Sequence, residues 1–193
     1  RMAVMVINKT LAKRAMPTIS HAHYQKIFGF PVIDYYRRLG FDFVDESFEV
    51  VGTEFIDGYE KHKFDVGLHA GVEEILLKLS SLRVSHSILS AYKQNTLDEL
   101  VAHFGLTHRF LKIVGLNNHY AHSKVDNAIQ LMSELEYDPS ETLFVGDTEH
   151  DFEVAEAIGV NCVLIPGGHQ TREALESTGA QVINNLVELL NLV

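Results

Sequence analysis

Hydrophobic and polar positions follow two different rhythms along the chain. Between residues 1 and 64 the rhythm is helical. Leu11 to Ala15 reads as helix, and Ser20 is placed to cap a second helix running through Tyr24 and Ile27 to Phe28. Pro31 stands where a third can begin, followed by Val32 to Leu39 with Gly40 as its stop. From Asp45 to Lys63, the residues Phe48, Val51, Phe55 and Tyr59 recur at spacings of three or four, which is the apolar stripe of an amphipathic helix. No strand is predicted in this part.

Beyond a boundary near Phe64–Gly67 the rhythm alternates. Short apolar runs read as strands at Arg83–Leu89, Lys112–Val114, Thr142–Val145, Asn161–Ile165 and Val182–Ile183. Between them, helical patterns run over Val72–Ser80, Asn95–Phe104, Lys124–Leu135, Asp151–Ile158 and Thr171–Ser177, with Leu186–Leu190 closing the series. Strands that are short and apolar throughout, alternating with helices, predict a doubly wound parallel sheet, an α/β core spanning residues 65–193. Residues 1–64 form a small all-helical domain beside it.

Composition narrows the function. A formal net charge of −10 argues against a nucleic-acid or anionic-membrane surface. Cys162 is the one cysteine, which rules out an intramolecular disulfide framework and a cysteine zinc cluster and fits a reducing cytoplasm. No apolar run approaches the roughly 18–20 residues needed to span a bilayer. The eleven histidines are scattered; even His21 and His23 sit in a polar segment and read as surface residues.

In an open parallel sheet, sites form at the carboxyl ends of the strands. Ser90-Ala91 follow one predicted strand, and Gly146-Asp147 follow another, with Asp151 four residues later. Lys124 opens the helix after the polar loop that ends His122-Ser123. A hydroxyl, a lysine and two carboxylates on one edge suit phosphate chemistry. Mg²⁺ prefers a few carboxylates and waters plus a phosphate oxygen, so Asp147 and Asp151 are the candidate ligands. Ser90 and Ala91 are candidates to hold phosphate oxygens, and Lys124 to neutralise phosphoryl charge. Each has a plainer reading. Asp147 or Thr148 can be a helix cap, Asp151 a first-turn acid, Ser90 a turn residue, and Lys124 a solvated charge.

Taken together, these residues resemble a haloacid dehalogenase superfamily hydrolase of the phosphoglycolate-phosphatase-like branch. Gly146-Asp147-Thr148-x-x-Asp151 is similar to that family's acidic fourth motif, Ile88-Leu89-Ser90 to its second, and Lys124 to its third, with Val125 where the family often has proline. Gly159-Val160 with Gly167-Gly168 resembles the run after the fourth motif. Residues 1–64 resemble most of a helical cap, and Gly29-Phe30-Pro31 a cap loop that reaches toward substrate, making Pro31 and Arg37 candidate substrate contacts. The resemblance implies a Mg²⁺-dependent phosphatase acting on a small phosphorylated metabolite through a phospho-aspartate, as a monomer or homodimer. A phosphomutase or a non-catalytic binding protein are the alternatives on the same fold. The family's first motif, DxDG[TS], is absent from these 193 residues. The nearest lookalike, Val6-Ile7-Asn8-Lys9-Thr10-Leu11, would put Val6 at the nucleophile. The preferred expectation is a nucleophile upstream of Arg1, in a first strand that the core otherwise lacks, and poor turnover without it.

Overall fold

The computed structural model describes residues 1–116 and 124–193. Four helices come first: α1 (Met2–Lys13), α2 (His21–Ile27), α3 (Val32–Arg38) and α4 (Phe48–Lys61). They share one core of Ile7, Leu11, Tyr24, Tyr35, Tyr36 and Val51. The stripe read in the sequence explains α4: Val51 is wholly buried, Phe48, Phe55 and Tyr59 pack around it, and the Ser47 hydroxyl caps the helix by accepting the Val50 N–H. Arg14 ties α1 to the segment leading into α4 and to α4 itself through Glu46 at 2.5 Å and Glu54 at 3.1 Å.

One expectation needs correction here. The first helix begins at Met2, not near Leu11. The lookalike Val6–Leu11 therefore lies inside α1, with Val6 and Ile7 buried in the cap. Asn8 braces the chain reversal after α1: its amide donates to the Ile19 carbonyl at 2.9 Å and its oxygen accepts the Ile19 N–H at 2.8 Å. A buried helical valine has no chemistry of a strand-tip nucleophile, so this segment does not stand in for a first motif.

The core adds α5 (Val72–Ser81), β1 (Ser87–Lys93), α6 (Gln94–His103), β2 (Lys112–Leu116), α7 (Lys124–Leu135), β3 (Leu143–Gly146), α8 (Glu149–Ile158), β4 (Asn161–Leu164), α9 (Arg172–Ser177) and β5 (Gln181–Val182). β1 starts and ends about four residues later than the sequence pattern placed it. Residues Arg83–His86 form the turn out of α5, with Arg83 at φ +63°. All described strand pairs are parallel. They divide into two sheets, β1–β2 and β3–β4–β5. Among the described residues β1 pairs only with β2 and β3 only with β4, so each presents one unpaired edge, and Val145 on β3 is 39% exposed. A single sheet covered on both faces is therefore not what these residues form by themselves. Isolated backbone edges of this kind are normally paired when buried.

Leu11 has no solvent exposure and sits at the centre of the cap core. Leu11→Ala is expected to lower stability by about 2–5 kcal/mol, measured by chemical denaturation of the whole protein.

Candidate functional site

β3 ends in Gly146, and α8 starts three residues later, at Glu149, with Thr148 as its cap. The Thr148 hydroxyl accepts the Asp151 N–H, and the Asp151 carboxylate answers by accepting from the Thr148 N–H at 3.0 Å, a reciprocal capping box. The same oxygen, Oδ2, also accepts the Asp147 N–H at 2.9 Å and the Thr148 hydroxyl at 2.8 Å. Its other oxygen, Oδ1, accepts from Lys124 Nζ at the head of α7. The turn needs a glycine: a Cβ on Gly146 would stand 2.2 Å from the Asp151 Cβ.

This pair is enclosed. The side chains of Lys124 and Asp151 are 13% and 6% exposed. Burial by itself would raise the Asp151 carboxyl, but the Lys124 charge, the Lys124 hydrogen bond and the loop donors outweigh it and hold the group below the ordinary carboxylate range. Lys124 also lies 5.3 Å over the Phe144 ring.

Asp147 is in a different position. Oδ2 accepts the His169 N–H at 2.9 Å, and Oδ1 has no hydrogen bond among the described residues. The carboxylate lies so close over the loop after β4 that a Cβ on Gly168 would fall 1.7 Å from Oδ2. The sequence candidates thus separate. Asp147 offers an oxygen to a ligand, whereas Asp151 is committed to Lys124 and to the cap of α8. Gln170 fills the next position, accepting the Glu149 N–H at 2.6 Å. Side chains therefore already take the N–H groups of Thr148, Glu149 and Asp151 at the start of α8.

Ser90 lies where β1 breaks register with β2, between the paired positions Leu89 and Lys93. Its hydroxyl oxygen accepts the Tyr92 N–H at 3.1 Å, leaving its proton to donate. Ala91 beside it is exposed. Ser90 makes no hydrogen bond to Asp147 or Lys124 among the described residues. The carboxyl end of β2 reaches the same neighbourhood through Gly115, whose carbonyl accepts from Asn127 on α7 at 2.8 Å. The polar loop before Lys124, with His122 and Ser123, lies outside the described residues.

The cap reaches the acidic loop at two places. Phe30 packs 4.7 Å from His150 on α8, so the Gly29–Pro31 turn does lie over this end of the core, with Pro31 exposed after a cis peptide bond. Tyr24 and Phe28 enclose His169, the first through its hydroxyl at 2.5 Å from Nδ1 and the second by stacking at 4.7 Å. Burial holds the His169 imidazole below its usual range and pushes the Tyr24 hydroxyl up. Arg37 instead pairs with Asp34 on its own helix at 2.8 Å and makes no hydrogen bond or ion pair with the core among the described residues. Sequence reasoning missed Tyr24, His169 and Gln170; the Gly167-Gly168 pair was an available signal for the last two, and Tyr24 had none.

The donor set around Asp147 is oxygen, not sulfur or clustered imidazole: no group of three or more His, Cys, Asp or Glu able to hold a metal occurs among the described residues. Burial pushes the Cys162 thiol up to about 12. One open carboxylate oxygen at a strand tip suits Mg²⁺, which takes one or two carboxylates and fills its remaining positions with water and phosphate. A surface cleft of about 240 Å³ lies away from this loop, at the amino ends of β1 and β2, lined by Arg83, His86, His108 and Arg109.

Parallel strands with their polar residues gathered at the carboxyl edge, beneath a helical cap, make this a Rossmann-like α/β protein. Residues 1–165 match the family of haloacid dehalogenase-like hydrolases, and the chain belongs to that family, on its phosphoglycolate-phosphatase-like branch. A phosphoglycolate phosphatase of Pseudomonas syringae pv. tomato is 31% identical over 152 residues, covering 76% of this chain and 55% of that protein. A tyrosine-protein kinase, PtkA, of Mycobacterium tuberculosis is 25% identical over 119 residues, covering 61% of this chain and 41% of that protein. The chain spans about half the length of the curated relatives it matches. The solved structure of M. tuberculosis PtkA superposes with a TM-score of 0.82 at 23% identity, covering 100% of this chain and 90% of that one, which establishes the shared fold. Among the described residues no helix is long and apolar enough to cross a membrane.

The Lys124–Asp151 pair sets a pH prediction. The folded carboxyl titrates below its unfolded value of about 3.9, so its contribution is fully present above that value and is lost as pH falls through the folded one. Asp151→Ala, which strands a buried lysine, is expected to cost about 3–5 kcal/mol at pH 7. The gap between variant and wild type should narrow as metal-free denaturation is carried below about pH 4.

Proposed function

We propose that this chain is the cap and most of the core of a Mg²⁺-dependent phosphatase acting on a small phosphomonoester. The observation that supports the reading is the division of labour at the β3 tip: Asp151 accepts four hydrogen bonds, one of them from Lys124, while Asp147 beside it has no hydrogen bond at Oδ1 among the described residues. When bound there, Mg²⁺ would neutralise phosphoryl charge and orient the phosphate oxygens. Lys124 has three N–H donors and gives one to Asp151, leaving others for a phosphate oxygen. Ser90 has a hydroxyl proton to donate to a second. The cap contacts through Phe30 and Tyr24 support closure over the site and exclusion of water.

Family resemblance supplies the remaining step. A carboxylate attacks phosphorus as the ester P–O bond breaks, the departing alkoxide takes a proton, and water then cleaves the acyl phosphate to restore the carboxylate. The unpaired edges of β1 and β3 support a place for that aspartate on a strand lying between them. A preceding segment of the full-length protein is the proposed source. The protein's work is expected in the cytoplasm, on a soluble phosphorylated metabolite.

With the full-length protein and Mg²⁺, a panel of phosphate esters is expected to release inorganic phosphate. Asp147→Asn should reduce the rate at least about 100-fold, in the range seen when one electrostatic contact to a transition state is removed. No release from any ester, with Asp147→Asn indistinguishable, would leave a binding protein. Transfer between sugar hydroxyls in place of release would make it a phosphomutase.

A further inference from the structure

The loop after β4 has two faces, and both are occupied. On the core face, the His169 N–H holds Asp147 Oδ2 at 2.9 Å, Gly168 lies directly beneath that carboxylate, and the Gln170 oxygen holds the Glu149 N–H at 2.6 Å. On the cap face, the His169 ring is stacked on Phe28 and bonded to the Tyr24 hydroxyl. The Gly168 carbonyl accepts from the Gln25 amide at 3.2 Å, and the Gln170 amide donates to the Phe28 carbonyl at 3.5 Å. Gln170 is 3% exposed, and its two amide atoms are divided between core and cap.

The segment has little stiffness of its own. It follows Gly167, at φ +108°, and begins with a second glycine, so its backbone has more freedom than any other residue pair would give it. What fixes it is what it touches. Remove the cap contacts and the His169 N–H loses its fixed direction, and with it the orientation of Asp147. Backbone donors that orient a ligating carboxylate typically matter about 10–100-fold in metal affinity.

We propose that Gly168–Gln170 is a positioning element that couples cap docking to cation binding: α2 docked through Tyr24 and Gln25 raises the affinity of Asp147 for a divalent cation, and the cation in turn tightens docking of the cap. This rests on Asp147 being the metal ligand. Linkage makes the two effects equal in size. Tyr24, Gln25 and Gln170 are positioning residues, since none of them touches the open oxygen of Asp147.

Mn²⁺ binding to the full-length protein, followed by electron paramagnetic resonance, tests both levels. Asp147→Asn is expected to abolish specific binding. The double variant Tyr24→Phe, Gln25→Ala keeps the aromatic ring in the cap core and should bind Mn²⁺ about 10-fold more weakly. Lys26→Ala, an exposed change on the same helix, should bind as wild type does. Gln25→Ala alone, at a half-exposed position, serves if the double variant does not fold and should weaken binding in the same direction. As a second readout, Mg²⁺ should slow amide exchange of residues 24–28 in wild type and not in Asp147→Asn. Cap variants that bind as tightly as wild type while Asp147→Asn loses binding would overturn the coupling and leave the metal reading intact. Weakened binding with no Mg²⁺ effect on cap exchange would also overturn it, because linkage requires both. Absence of any Asp147-dependent binding in wild type would remove the metal reading itself.

Discussion

The buried carboxylate of Asp151 is the constraint on which the rest of the site depends. A charge that is 6% exposed persists only if its oxygens are occupied, and here they are, by Lys124, two backbone N–H groups and a threonine hydroxyl. Those partners come from two separate places: the β3–α8 turn, whose Thr148 is also the cap of α8, and the head of α7. Satisfying one side chain therefore fixes the turn, starts one helix and pins another against it. The cost of leaving either partner unpaired is large, and that asymmetry, more than the net worth of the pair, is what enforces the geometry.

Glycine makes that geometry sterically possible at two points. Gly146 lets the Asp151 side chain fold back against the strand end, and Gly168 lets the Asp147 carboxylate settle on the loop after β4. The second approach has a consequence for the cap, because the same loop carries His169 into the aromatic pair Tyr24 and Phe28. Cap and core thus meet on a short, intrinsically loose segment as well as on α8, where Phe30 packs against His150. The edges of β1 and β3 that are unpaired among the described residues belong to the same picture, since Ser90 lies on the one strand and Asp147 follows the other.

Much of this was legible in the sequence, and the reasons differ by element. The bounds of α7 follow from its stripe and from the polar run before it, and the observed Lys124–Leu135 matches them. The Gly-Asp-Thr-x-x-Asp loop was readable because a strand, a glycine and a cap residue occur in order. α1 was read short because Val4, Val6 and Ile7 are β-branched, poor helix formers in isolation; packing in the cap core overrides that preference. The start of β1 was misplaced because Arg83–His86 has apolar alternation yet serves as the turn out of α5. The pairing of Asp151 with Lys124, 27 residues apart, and that of Tyr24 with His169, 145 apart, are tertiary facts that no local pattern encodes.

The two aspartates make the limit of motif reading concrete. They are four residues apart and chemically identical, and a spacing argument assigns both to metal. Their environments separate them. Four donors from the loop and from Lys124 converge on Asp151, which is therefore held ionised. Asp147 is held at one oxygen by a backbone N–H and, among the described residues, has no hydrogen bond at the other. A carboxylate with one arm fixed has the other pointed, which supports the role proposed for Asp147 toward a cation. Asp151, tied to Lys124 and to the cap of α8, sets the shape of the loop in which Asp147 stands.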